Sequence, residues 1–69
     1  MNKTDKQRLE TLLDYWVKHN KEHIKEFEEW AKKAGETDQA SVQDHILHAV
    51  QRMSEANEFL FKALEVLKT

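Results

Sequence analysis

Cysteine and proline are both absent from this chain of 69 residues, and glycine occurs once. Without cysteine the chain can form neither a disulfide nor a thiolate metal site, so any metal ion would have to be held by histidine or carboxylate side chains. Without proline and with a single glycine, the chain has few of the residues that normally build turns and loops. These absences indicate long regular elements with few connections.

Two further absences exclude classes of partner. No apolar run approaches the roughly 18 residues that a transmembrane helix needs, and the polar start of the chain leads into no apolar signal-peptide core. The 11 Lys and Arg residues are balanced by 13 Asp and Glu residues, and the two signs are interleaved, so the sequence has no basic patch for nucleic acid. We therefore predict a cytoplasmic protein that binds neither a membrane nor nucleic acid.

The single glycine, Gly35, lies near the middle of the chain and predicts an all-α fold, an antiparallel two-helix hairpin. We expect a first helix over residues 4–34, a turn over residues 35–37 and a second helix over residues 38–68. The two helices together form one domain that spans residues 1–69.

Candidate helix caps lie at the predicted ends. Thr4 and Gln7 have the spacing of a capping box at the start of the first helix. Gly35 suits a left-handed cap at the end of that helix, and Thr37 or Asp38 suits the N-cap of the second helix.

In both helices a set of mostly apolar residues recurs at alternating intervals of three and four, the spacing of a coiled-coil seam. The predicted seam of the first helix comprises Leu9, Leu13, Trp16, Asn20, His23, Phe27, Trp30 and Ala34. The predicted seam of the second helix comprises Ile46, Val50, Met53, Asn57, Leu60, Leu64 and Leu67. One antiparallel register pairs the two seams along their length, which favours a packed hairpin.

Additional apolar residues flank both seams, so the apolar surface is wider than two helices alone can bury. One flank of the second helix carries a stripe of alanines that would allow close helix approach. We predict that two hairpins associate as a homodimer and form a four-helix bundle. The predicted interface residues are Tyr15, Val17, Ile24, Leu47, Phe59 and Phe61.

The predicted seam contains a polar core layer formed by Asn20, His23, Asn57 and Trp16. Buried polar groups cost stability unless they are hydrogen-bonded. A buried asparagine commonly determines helix register and oligomeric state, and the register pairs Asn57 with Trp16, whose indole N–H needs an acceptor. We interpret Asn57 as structural and expect any function to reside in this layer.

His19 and His23 are one helical turn apart, so their imidazoles lie on one face and could bind one divalent metal ion. Two nitrogen ligands do not complete a site, because tetrahedral zinc takes four ligands. The others could come from carboxylates of the same helix, from Met53 and Asn57 across the seam, or from the histidine pair of a second copy. The alternative interpretation is that His23 is a hydrogen-bonded core histidine and His19 lies at the rim.

Neither this pair nor a second pair, His45 and His48, belongs to a catalytic motif. His45 and His48 fall on outward positions, which favours a solvated surface. The glutamate of the zincin motif is displaced, and the Glu-x-x-His signature, a cysteine nucleophile and a glycine-rich phosphate loop are all missing. We predict that the chain is not an enzyme and has no catalytic residues.

The stretch Trp-Val-Lys-His-Asn-Lys-Glu-His at residues 16–23 and the pair Ala56-Asn57 carry a resemblance to a known family. The chain resembles a small microbial helical-hairpin domain of unknown function, and the similarity spans nearly the whole sequence. The resemblance implies that His19, Asn20 and His23 are functional positions and that nickel is a candidate metal beside zinc. It implies no enzymatic activity.

Together these observations predict an uncharacterised, non-enzymatic, self-associating helical protein with a candidate nickel or zinc site at His19 and His23. The alternative is a protein-protein interaction module whose apolar flanks bind a partner protein and whose histidines are structural.

Overall fold

The computed structural model describes all residues from Met1 to Thr69 and contains two long helices packed against each other. Helix α1 spans Lys3–Gly35 and helix α2 spans Ala40–Lys68, with residues 36–39 between them. The molecule measures 53 × 14 × 13 Å, the shape of an antiparallel hairpin. The predicted all-α hairpin is confirmed; three of the four helix ends differ from the predicted ones by one or two residues, and the end of α2 at Lys68 is as predicted.

The N-terminus of α1 is capped by Asn2, so the predicted capping box at Thr4 and Gln7 is wrong. The Asn2 side-chain oxygen accepts a hydrogen bond from the backbone N–H of Asp5 at 2.8 Å, while Thr4 already lies within the helix. Asp5 also places a negative charge in the first turn, where the helix dipole favours it. The cap therefore lies two residues earlier than the sequence motif indicated.

The connection between the helices is held by Thr37 and does not use a left-handed glycine. The Thr37 hydroxyl donates to the carbonyl of Ala34 at 2.7 Å and accepts from the N–H of Gln39 at 3.2 Å. No residue has a positive φ, so the predicted left-handed conformation of Gly35 is wrong. The N-cap of α2 is Gln39, without a side-chain cap, rather than Thr37 or Asp38.

Gly35 instead marks a close approach between the helices. A Cβ atom at this position would overlap the side-chain amide of Gln43 on α2. A glycine at the end of α1 therefore gives the Gln43 side chain room to lie against the α1 backbone.

The core confirms the predicted seam of α2 and corrects that of α1. Every predicted seam residue of α2 is buried or half-buried. On α1 three of the predicted seam residues are each replaced by the residue that follows them. Val17, Ile24 and Ala31 face α2, where Trp16, His23 and Trp30 were predicted. Trp16 and Trp30 are 39% and 57% exposed to solvent. Two helices cannot enclose an indole, and the smaller neighbours bring the backbones closer together.

Two faces flank this core, and one of them is distinctly apolar. In an antiparallel hairpin, the residues just before equivalent core positions of the two helices lie on the same face. Trp16, which precedes the core residue Val17, therefore shares a face with Ala56, which precedes the core residue Asn57. The aromatic face, as we define it, comprises Leu12, Trp16, His19, His23 and Trp30 of α1 with Val42, Ala49, Ala56, Phe59 and Ala63 of α2. The opposite face carries a shallow groove lined by Val17, Lys21, Ile24, Ser54, Asn57, Glu58 and Phe61.

Candidate functional site

Asn20 and Asn57 form a polar bridge between the helices. Asn57 is buried, and its side-chain oxygen accepts a hydrogen bond from the amide of Asn20 at 3.2 Å. The Asn57 amide donates to the backbone carbonyl of Val17 at 3.1 Å. No buried side-chain nitrogen or oxygen lacks a partner. Trp16 and His23, the other predicted members of the polar core layer, do not join this bridge, because the shift of the α1 seam turns both side chains toward the aromatic face.

His19 and His23 form a close pair on the aromatic face. Both side chains are half-buried, and their Nε2 atoms lie 2.9 Å apart. The ring planes are perpendicular, with centroids separated by 4.4 Å. Each ring therefore presents the same nitrogen to one point between them.

Aromatic neighbours one turn away on either side hold these two imidazoles in place. His19 stacks on Tyr15, with centroids 5.2 Å apart and planes inclined by 15°. His23 is in contact with the ring of Phe27, with a centroid separation of 6.0 Å. The four rings form a ladder along α1 that restricts the rotamers of both histidines.

This arrangement permits two chemical states. In the neutral pair one Nε2 can donate a hydrogen bond to the other, which needs different tautomers on the two rings. When both rings carry their proton on Nδ1, the two Nε2 lone pairs converge and can bind one metal ion. No group of three or more His, Cys, Asp or Glu side chains lies close enough together to complete a metal site within one chain. A single hairpin thus offers two of the ligands that a metal ion requires.

The second histidine pair is placed as the sequence predicted, on a solvated surface. His45 and His48 are both exposed. Nδ1 of His48 lies 3.7 Å from a carboxylate oxygen of Asp44, and both of these side chains are more than half exposed. The two pairs therefore differ in environment, and the second serves as a control for the first.

The predicted interface residues do not all lie on one surface. Val17 is buried inside the hairpin with 6% exposure and Ile24 is half-buried, so the assignment of Val17 to an intermolecular interface is wrong. Tyr15 and Phe59 are exposed on or beside the aromatic face, whereas Leu47 and Phe61 are exposed on the side of the groove. The physical reason is again the one-position shift of the α1 seam.

The spacing predicts Trp16 and Trp30 in the core, but the structure places both on the exposed apolar surface. The size of the side chains could have indicated that these tryptophans lie outside the core. Each tryptophan is followed by a smaller apolar residue that satisfies the same spacing, Val17 in one case and Ala31 in the other.

Neither helix combines the length and the apolar composition that a membrane crossing demands.

Comparison with known proteins places the hairpin among uncharacterised relatives. The model of a domain of unknown function, DUF8180, matches residues 9–67. An uncharacterized protein of Archaeoglobus fulgidus is 34% identical over 61 residues, which cover 88% of this chain and 97% of that protein. No solved structure matches. The expected likeness to a domain of unknown function is confirmed, while the roles of His19, Asn20 and His23 stay a prediction.

Proposed function

The chain belongs to the DUF8180 family, whose function is unknown, and we propose that it is a non-enzymatic, self-associating helical module. Two hairpins pair through the aromatic face and form a four-helix bundle. A cytoplasmic location stays a prediction.

The observation that carries this proposal is the large surface of the single hairpin. A compact monomer of 8.2 kDa exposes about 4,500 Å². The hairpin exposes 5545 Å², and only 5 of its 69 residues are buried. Its exposed side chains include two tryptophans, a tyrosine and two phenylalanines. Exposed large apolar side chains that share one surface are typical of an interface.

The dimensions of the hairpin allow a stable dimer when two copies pair along their full length. One side of the molecule, 53 by 14 Å, has a projected area of about 740 Å², so such pairing would bury about 1,500 Å², within the range of specific protein-protein interfaces.

One pair of apolar residues on the aromatic face is placed for self-association. A two-fold axis perpendicular to the helices, passing between His19 and His23, would bring Leu12 of one copy opposite Trp30 of the other. In an isologous interface residue i of one copy contacts residue j of the other, and residue j of the first contacts residue i of the second. The pairing of Leu12 with Trp30 follows this rule.

The same axis serves α2. Asn57 is hydrogen-bonded to Val17, so these two residues lie at the same level. Because the helices are antiparallel, residue 53, four positions before Asn57, lies level with residue 21, four positions after Val17. Residue 21 is midway between the two histidines. Residue 53 is also within one position of the midpoint between Ala49 and Ala56, which the axis would bring together. Alanines at this crossing allow the two α2 helices to approach closely, while the larger side chains fill the space between the α1 helices.

Analytical ultracentrifugation of the full chain over a concentration series tests the proposal. We expect a mass twice that of the 8.2 kDa chain. Trp30→Glu should weaken the dimer roughly tenfold or more, since it places a charge in the buried interface. Phe61→Glu, an exposed aromatic on the opposite face, is the matched control and should leave the dimer intact. Circular dichroism confirms that both variants remain helical.

Two results would overturn this function. One is a wild-type chain that stays monomeric at the highest concentration. The other is a dimer that Phe61→Glu dissociates and Trp30→Glu does not, because the interface would then lie on the groove side.

The distance between the histidines favours a second candidate function, the binding of a divalent metal ion such as nickel or zinc by His19 and His23. The observation behind it is the 2.9 Å separation of the two Nε2 atoms on rings that Tyr15 and Phe27 hold in place. A thermal melt of chelator-stripped protein with a roughly tenfold excess of Ni²⁺ or Zn²⁺ measures it, because a ligand that binds only the folded state raises the Tm.

The rise in Tm should disappear in His19→Ala/His23→Ala and persist in His45→Ala/His48→Ala. Equal rises in both double variants would mean that the metal binds elsewhere.

The alternative to these functions is a module that binds a different protein, with structural histidines. The observation that favours it is the exposure of Leu47 and Phe61 beside the groove, on the side away from the aromatic face. In that case His23→Leu should leave stability unchanged or raise it, since an apolar side chain replaces a half-buried polar one. If His23 instead binds a metal, the same substitution abolishes the metal-dependent rise in Tm.

A further inference from the structure

We propose that the His19–His23 pairs of two copies come together at the two-fold axis of the dimer and form one shared site of four imidazoles. The occupant is a divalent transition metal ion that prefers ligand angles near 90°, as in square-planar or octahedral coordination. This inference rests on the proposed self-association.

The angle follows from the separation of the two nitrogens. With metal–nitrogen bonds of about 2.0–2.1 Å, nitrogens 2.9 Å apart subtend about 90° at the metal, whereas tetrahedral coordination needs them about 3.4 Å apart. Square-planar and tetragonal sites with nitrogen ligands are typical of Cu²⁺ and Ni²⁺, and octahedral sites add two further ligands such as water. The pair is thus shaped for these ions more than for tetrahedral Zn²⁺.

The second copy is required because one hairpin cannot complete the site. No third His, Cys, Asp or Glu side chain joins the pair within the chain. An axis that passes between His19 and His23 places His19 of each copy opposite His23 of the other. The same axis would place Leu12 opposite Trp30 and Ala49 opposite Ala56, so the shared site and the apolar pairing are compatible with one dimer.

The position of the pair on the helix supports a built site. His19 and His23 lie on the aromatic face, and the neighbouring side chains Trp16 and Phe27 would limit the access of water once two copies meet. Removal of water strengthens metal–ligand interactions, and a preorganised ring geometry reduces the entropy lost on binding. The exposed pair His45 and His48 has neither advantage.

Titration of the full chain with Ni²⁺, followed by calorimetry and by ultracentrifugation of the same samples, tests the proposal. We expect one ion per two chains and a dimer that becomes tighter with metal, because binding and association are linked. His19→Ala/His23→Ala should lose the ion yet remain a dimer in the absence of metal. His45→Ala/His48→Ala should bind as the wild type does. Trp30→Glu, the variant with the weakened dimer, should bind the ion roughly tenfold or more weakly.

The outcomes separate this inference from the proposed function. A dimer that binds one ion per chain, or none, would overturn the shared site and leave self-association standing. A chain that is monomeric with and without metal would overturn both. Loss of the dimer in His19→Ala/His23→Ala without metal would contradict the inference, because the interface should rest on the apolar residues.

The spectrum of Co²⁺ in the same site tests the coordination geometry. Octahedral Co²⁺ gives weak visible absorption and tetrahedral Co²⁺ gives intense absorption. A weak spectrum with a stoichiometry of one ion per two chains is the expected result. An intense spectrum would contradict the assignment of ligand angles near 90°.

Discussion

The amide of Asn20 donates a hydrogen bond to the side-chain oxygen of Asn57 across the two helices, at 3.2 Å. Asn57 in turn donates to the carbonyl of Val17 and is 7% exposed. Two asparagine side chains and one backbone carbonyl thus form hydrogen bonds to one another within an apolar seam. A slip of either helix by one turn would separate these groups and leave polar atoms buried without partners, so the bridge specifies the register of the hairpin.

Removing the buried partner of this bridge should be costly. Asn57→Ala takes away both hydrogen bonds and leaves the Asn20 amide without its acceptor, so we expect a loss of about 1–3 kcal/mol in the free energy of unfolding. Urea unfolding at fixed protein concentration measures it, because self-association makes the apparent stability depend on concentration.

Asn20→Ala is the matched variant for this experiment. It breaks the same inter-helix bond but leaves the bond from Asn57 to Val17, so its cost should be the smaller of the two. In a double-mutant cycle the two substitutions should couple by about 0.5–1 kcal/mol. Purely additive costs would show that the bridge contributes nothing beyond the separate side chains.

The small core makes each buried leucine important. Leu64 is 4% exposed and is one of the four apolar residues that are buried. Leu64→Ala should lower the free energy of unfolding by about 2–5 kcal/mol, the usual range for a leucine removed from a core. Leu47→Ala, at a leucine with 44% exposure, should cost less than half as much. Equal costs for the two variants would place Leu47 in a buried interface.

The sequence predicted the seam correctly on α2 but not on α1. On α2 one flank of the seam carries Ala49, Ala56 and Ala63, so on that side the larger residues at alternating intervals of three and four define the seam. On α1 two sets satisfy that spacing one position apart. Trp16 and Trp30 belong to one set, and Val17 and Ala31 to the other. Periodicity cannot choose between them; the choice depends on how closely two backbones pack, which is a property of the folded hairpin.

The candidate site was predictable in part for a similar reason. Helical spacing alone indicates that His19 and His23 share a face. It does not determine which ring nitrogens converge, because that depends on rotamers set by contacts with Tyr15 and Phe27. Nor could the spacing reveal that Asn57 binds the carbonyl of Val17 rather than the indole of Trp16, since that difference follows from the shifted seam.

The cap of α1 offers a direct test of structure against motif. Asn2→Ala removes the hydrogen bond to the Asp5 N–H and should destabilise the first turn by about 0.5–2 kcal/mol. Thr4→Ala, at the position that the capping-box motif indicated, should have little effect because Thr4 lies inside the helix. Far-ultraviolet circular dichroism during thermal unfolding measures both. The reverse order of effects would restore the cap to Thr4.

Gly35 provides a prediction in which two opposing effects can be separated. Its backbone has no positive φ, so alanine can adopt the same conformation and should gain about 0.5–1 kcal/mol from the smaller entropy loss on folding. The added Cβ would overlap the side-chain amide of Gln43, which is the end of a flexible side chain and must move. We therefore expect Gly35→Ala alone to change stability little.

In a Gln43→Ala background that overlap is gone, and Gly35→Ala should then give its full gain, measured by urea unfolding of the two variants. The comparison holds the backbone effect constant and changes only the steric one. A loss of more than about 1 kcal/mol in both backgrounds would contradict the right-handed conformation, because alanine is penalised to that extent when φ is positive. A gain that appears only without Gln43 would show that Gly35 is retained for the close approach of the two helices.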